Sequence, residues 1–274
     1  VPLPQKPVVP DVAKPEGLPR SVKPPQRVQC NVKVSGYPDG MIKSCTELIE
    51  TGHETGRALA SAYNARGRAY LAKGEHEHAI ADFSAALNNE PGNLLALHSR
   101  GLAHSFKREF KRAIEDYSEA IWRAPRNATL YQDRARAYVG AADYARAIAD
   151  FSEVIRLTPK PALALRDRCY VRAISGRELQ QGLEDCDEAL RMLKNDVIAR
   201  ERRALINLRM GHFDKAIADY NAVLKVQAAS AGALYGRGVA RKKKGEEMRG
   251  DADIAEARQI RPDIVEALIG FGVK

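Results

Sequence analysis

The chain has 274 residues, 45% of them apolar, and a formal net charge of +9. That length suits one large or two ordinary domains with a sizeable core, and no apolar run approaches the ~20 residues a membrane-spanning helix needs. The charge divides as +4 over residues 1–36 and +5 over the rest, a remainder too weak and too mixed in sign to point to nucleic acid.

Nine of the fourteen prolines lie between Pro2 and Pro38. Proline removes backbone donors and fixes φ, so residues 1–37 are read as an extended, polyproline-like tail or linker. The sharper alternative is an arm that docks on a partner or on this protein's own surface. The first residue is Val1 rather than Met, so a preceding segment is expected.

Residues 38–59 contain "MIKSCTELI" (41–49), which reads like a second helix and lines up with "AIADYNAVL" (216–224), placing Cys45 in the slot of Tyr220. They are read as a degenerate leading helical cap on the array that begins at residue 60.

From Ala60 onward one phrase recurs. A small residue stands at Ala79, Ala113, Ala147, Gly182, Ala216 and Gly250, in steps of 34, 34, 35, 34 and 34. Four residues later come Phe83, Tyr117, Phe151, Cys186, Tyr220 and Ile254, and three beyond those Ala86, Ala120, Val154, Ala189, Val223 and Ala257. An earlier slot holds Gly67, Gly101, Ala135, Cys169, Ala204 and Gly238. Pro91, Pro125, Pro159 and Pro262 close four of the six units. Two antiparallel helices per unit fit this pattern. Small residues allow close approach, the aromatic fills the seam, Gly74, Gly176, Gly211 and Gly245 end the first helix, and proline comes after the second.

These residues resemble the tetratricopeptide repeat, with six copies at 60–93, 94–127, 128–161, 162–196, 197–230 and 231–264. The resemblance implies an all-α fold, a right-handed superhelical α-solenoid in which neighbouring units stack to bury a continuous core. Residues 265–274 are read as a short C-terminal capping helix. The opening "SCTELIE…ALASAYNARGRAY" is also similar to exported repeat proteins of alphaproteobacteria.

Within this pattern Arg66, Arg100, Arg134, Arg168, Arg203 and Arg237 share one slot, and Asp82, Asp116, Asp150, Asp185, Asp219 and Asp253 share another. The matched register predicts six ion pairs, since a planar guanidinium can meet a carboxylate at two points. A basic stripe for an anionic partner is the alternative.

The resemblance also implies that the first helices line a concave channel that takes extended peptides. On this chain the channel would show Asn64, Arg68, His98, Leu102, Gln132, Arg136, Arg166, Tyr170, Glu201, Leu205, Tyr235 and Val239. Arg68, Arg136 and Arg166 give its first half a basic lean, so a protein or peptide ligand of some acidic character is expected. The carboxylate clamp of the family's chaperone-tail binders is not reproduced. Contact through the convex face or an edge is the competing reading.

Cys169 and Cys186 fall in facing slots of the fourth unit, and Cys30 and Cys45 echo them, which makes two candidate disulfides; buried thiols acting as small apolar residues are the alternative. An even cysteine count in two plausible pairs leans towards an oxidising compartment, periplasmic or otherwise exported, rather than the cytoplasm. "GEHEHAI" (74–80) places His76 and His78 in a helix–helix turn with no third metal ligand set by spacing, and "RKKKG" (241–245) puts cations at a helix C-terminus, where the dipole favours them. With no catalytic constellation, phosphate loop, metal set or cofactor motif, the expectation is a non-catalytic scaffold or adaptor. Its partners are proteins or peptides, not nucleic acid or a small-molecule substrate, and any membrane association is indirect. It would act as a monomer or in a hetero-complex. A structural accessory subunit held permanently in a larger, envelope-associated complex is the second reading.

Overall fold

The computed structural model describes Cys30 and residues 37–269. The rest of the proline-rich tail and the last five residues, including Phe271, lie outside them. Among the described residues the chain is all helix, in fourteen segments with no strand. A single helix, α1 (Asp39–Glu50), leads six antiparallel pairs. They are α2 (Gly56–Ala72) with α3 (His76–Asn89), α4 (Leu94–Phe106) with α5 (Phe110–Arg123), and α6 (Ala128–Gly140) with α7 (Tyr144–Leu157). Then come α8 (Ala162–Ser175) with α9 (Leu179–Met192), α10 (Val197–Arg209) with α11 (Phe213–Val226), and α12 (Ala231–Lys243) with α13 (Glu247–Ile260). The short α14 (Ile264–Ile269) comes last. The whole is a right-handed superhelical α-solenoid.

Local chemistry starts and stops these helices. Side chains of Asn93, Asn127, Asp196 and Ser230 accept a hydrogen bond from the first turns of α4, α6, α10 and α12. The chain leaves the first helix of each pair through a left-handed residue at positions 74, 108, 142, 176, 211 and 245, which is glycine at four and Arg108 and Ala142 at the other two. The fourth pair absorbs its extra residue in this turn, where Glu178 is left-handed as well. Pro91, Pro125, Pro159 and Pro262 stand two residues beyond α3, α5, α7 and α13.

Within a pair the seam has no room to spare. A Cβ at Gly67 would lie 2.8 Å from the Phe83 ring, and one at Gly101 2.7 Å from the Tyr117 ring. In the fourth pair the same two slots are joined covalently, as Cys169–Cys186 with Cα atoms 5.6 Å apart. A second disulfide, Cys30–Cys45, with Cα atoms 4.6 Å apart, ties the chain ahead of α1 to that helix.

Between pairs, the even-numbered helices touch their own kind: α2 with α4, α4 with α6, α8 with α10, α10 with α12 and α12 with α14. Among the described residues no comparable contact joins successive odd-numbered helices. The layer that closes up is the inside of the curve, so even-numbered helices form the concave face. The step from α6 to α8 is looser than the others.

The Arg–Asp register is a ladder of bidentate pairs. In all six units Nε and Nη2 of the arginine donate to the two carboxylate oxygens of the aspartate in the same unit at 2.6–3.0 Å. The aspartates are only 4–7% exposed. The remaining arm, Nη1, reaches back to the preceding odd-numbered helix, donating at 2.7–3.2 Å to Thr46, Ser84, Ser118, Ser152, Asp187 and Asn221 in turn. Each arginine therefore closes its own pair and fastens it to the one before. The first-helix position that holds Tyr70 and Tyr138 in the first and third units holds Arg172 and Arg241 in the fourth and sixth, and each of these adds a donor to its own unit's ladder aspartate, at 2.5 and 2.8 Å.

Candidate functional site

The concave face is assembled from one face of α2, α4, α6, α8, α10 and α12. The structure spreads the candidate residues over three environments. Asn64, Tyr235 and Val239 are buried between helices and do not stand free on that face. Arg68 and Arg136 are exposed, and His98, Leu102, Gln132, Arg166, Tyr170, Glu201 and Leu205 are half-buried.

Most of the channel's cations already face carboxylates. His98 Nε2 lies 2.8 Å from Asp133, and Arg136 lies 3.6 Å from Asp133 and 3.5 Å from Asp167. Arg166 pairs with Asp196 at 3.1 Å. Arg202 donates to Asp167 at 2.9 Å and to the Arg166 carbonyl at 2.8 Å, with its guanidinium 4.7 Å from the centre of the Tyr170 ring. The basic lean read from Arg68, Arg136 and Arg166 is thus largely neutralised from α6 to α10. Among the described residues Arg68 has no acidic partner. The sequence pattern did not single out Asp133, Asp167 and Arg202. All three occupy one slot in successive units, directly after the channel residues Gln132, Arg166 and Glu201, and that adjacency is the signal that could have found them.

Two hollows open along this face. One of about 190 Å³ lies at the loose step between α6 and α8, with Arg136, Val139, Tyr170 and Arg202 in its walls. The larger, about 540 Å³, lies at the far end between α8, α10, α12 and α14, lined by Tyr170, Glu201, Leu205, Tyr220, Ile264 and Leu268 among others. Burial raises the Glu201 carboxyl above its ordinary range, with adjacent Arg202 opposing the shift. Burial likewise pushes the Tyr170 and Tyr220 hydroxyls up.

Elsewhere, His76 stacks on Phe106 at 5.3 Å, and His78 meets Glu75 at 3.1 Å. Among the described residues no group of three His, Cys, Asp or Glu side chains is placed to hold a metal. None of the described helices is long and apolar enough to cross a membrane.

The profile of the tetratricopeptide repeat matches residues 60–93, and a second profile of the same description matches 98–160 and 201–246, together just over half of the chain. No curated protein matches it in sequence. Among solved structures it is similar to a tetratricopeptide repeat protein from Parabacteroides merdae, with 20% identity and a TM-score of 0.66 over 77% of this chain and 87% of that one. PilW, a type IV pilus biogenesis factor, aligns with 17% identity and a TM-score of 0.65 over 77% and 98%. YrrB, described as a tetratricopeptide repeat protein with an unusual peptide-binding site, aligns with 22% identity and a TM-score of 0.53 over 68% and 96%. At these identities the likeness is one of fold.

Proposed function

Because the chain belongs to the tetratricopeptide repeat family, we propose that it is a non-catalytic scaffold that holds a peptide or protein segment along its concave face. The observation that carries this reading is the pair of hollows on one continuous inner surface, about 190 and 540 Å³, where aromatic and aliphatic side chains stand beside Arg136, Asp167 and Arg202 in the smaller and Glu201, Arg202 and Arg261 in the larger. The exposed Arg68 on α2, with no acidic partner among the described residues, favours acidic character in the part of the ligand that lies at that end. Two disulfides favour an exported protein working in an oxidising compartment such as a periplasm. Photo-cross-linking in the source cell tests the face. Cross-linkers at Arg68, Leu102 and Gln132 are expected to trap a protein partner, and those at Glu115, Arg146 and Lys215 on the outer layer are not. The opposite pattern overturns the groove.

A second reading has its own support. Leu95, Trp122, Leu163, Met192, Leu193, Ile198 and Val226 are exposed where the second helix of one unit meets the first of the next, and Trp122 is 76% exposed. A rim of this kind suits permanent assembly into a larger complex. If the protein co-purifies with a fixed partner from its source, and Trp122→Ser releases it, this reading displaces the mobile adaptor.

A further inference from the structure

The larger hollow exists because α12 departs from the helices before it. Gly232 stands where α8 and α10 carry Leu163 and Ile198, and Gly236 where they carry Asp167 and Arg202. The glycines admit neighbouring side chains into space that a Cβ would take. At Gly232 a Cβ would lie 2.7 Å from Glu201 Oε1, and at Gly236 2.8 Å from Tyr220 Cε2. Glu201 and Tyr220 thus seat against α12, and both line the cavity of about 540 Å³.

The charges around this cavity are unequal. Its two cations are already engaged: Arg202 with Asp167 at 2.9 Å, and Arg261 with Asp263 at 3.0 Å. Among the described residues no cation lies within 4 Å of the Glu201 carboxylate, and no donor meets it. The walls on either side are aliphatic, with Ile198, Leu205, Ile264 and Leu268. A half-buried carboxylate without a partner is costly, and the cost is relieved by a cation that brings its own apolar stem. Lysine has this form: four methylenes to lie against the aliphatic walls, and an ammonium with three donors for Glu201 and the Tyr220 oxygen.

We infer that the hollow between α10, α12 and α14 is a subsite for a lysine side chain of the ligand. This rests on the peptide-binding reading of the concave face. It gives the channel polarity, with an exposed cation at Arg68 and an unmatched carboxylate at Glu201, so a ligand acidic at one end and basic at the other binds in one direction only.

The test is a positional-scanning library of fluorescent peptides, each pool fixing lysine, norleucine or glutamate at one position. Binding to the full oxidised chain is read by polarisation. For the native protein, one position is expected to favour lysine over norleucine by about tenfold. Glu201→Gln is expected to abolish that preference, and Tyr220→Phe to weaken it, with helicity unchanged in both. Binding without a lysine preference, or a preference that survives Glu201→Gln, overturns the subsite and leaves the groove standing. Failure of every pool to bind overturns the subsite and the groove together.

Discussion

Removing the Arg134 side chain strands Asp150, a carboxylate only 5% exposed, and frees the Ser118 hydroxyl. The Arg134 side chain keeps 18% of its surface wet, so the loss falls below that of a fully buried pair, at about 2–3 kcal/mol. A double-mutant cycle of Arg134→Ala with Asp150→Ala is expected to show coupling of about 1–2 kcal/mol; additivity within about 0.5 kcal/mol would mean the pair does not act as a unit. The pairing was legible in the sequence because both partners hold fixed slots in six units. The third partner was not. Ser84, Ser118 and Ser152 look like ordinary polar residues on an outer helix, and their role depends on a contact across two units. The channel was misleading for a related reason. Side-chain type showed Arg136 and Arg166 as cations, but not that Asp133, Asp167 and Asp196 would neutralise them. Glu109 offers a pH readout at this scale. Its hydrogen bond with His104, helped by Lys107 and Arg112, holds its carboxyl down to about 2. Its stabilising contacts are therefore complete above the ordinary carboxylate range and fade as pH falls towards that value. Between about pH 5 and pH 2, Glu109→Gln should lose less stability than the native chain, as measured by urea unfolding.

At the scale of the element, the six left-handed turns divide by residue type. Four use glycine, while Arg108 at φ 60° and Ala142 at φ 58° adopt the same conformation against the preference of their Cβ. Arg108→Gly and Ala142→Gly are each expected to stabilise the chain by about 0.5–1 kcal/mol, the relief of strain exceeding the added freedom of the unfolded chain. Gly211→Ala should lose a similar amount. Equal midpoints in thermal unfolding for all three variants would show that the turn does not constrain its residue. The helices themselves were readable because proline and glycine mark their ends at a constant period. The departure of α12 was readable too, since Gly232 and Gly236 break the slots of earlier units, yet only the packed arrangement shows that Glu201 and Tyr220 seat against them.

At the scale of the molecule, contacts run almost wholly between neighbours, so damage should stay local. The Cys169–Cys186 bridge closes a loop with a sequence separation of 17 and is worth about 3 kcal/mol in the chain-entropy account. With both cysteines replaced by alanine, hydrogen exchange should quicken first in α8 and α9, and α2 and α3 should keep their protection. Uniform loss of protection would show a single cooperative unit instead. The backward arm of each ladder arginine has one more consequence. Every junction presents the same plug and nearly the same socket, so the array can change length by whole units without designing a new joint. Deleting residues 94–127 would place Arg134 against Ser84, one serine hydroxyl in exchange for another, and would leave Asn93 to cap α6 as Asn127 does now. Length would then vary independently of the ends, with α1 and its disulfide at one end and the lysine pocket at the other, and the distance between the two poles of the channel would be set by how many such couplings lie between them.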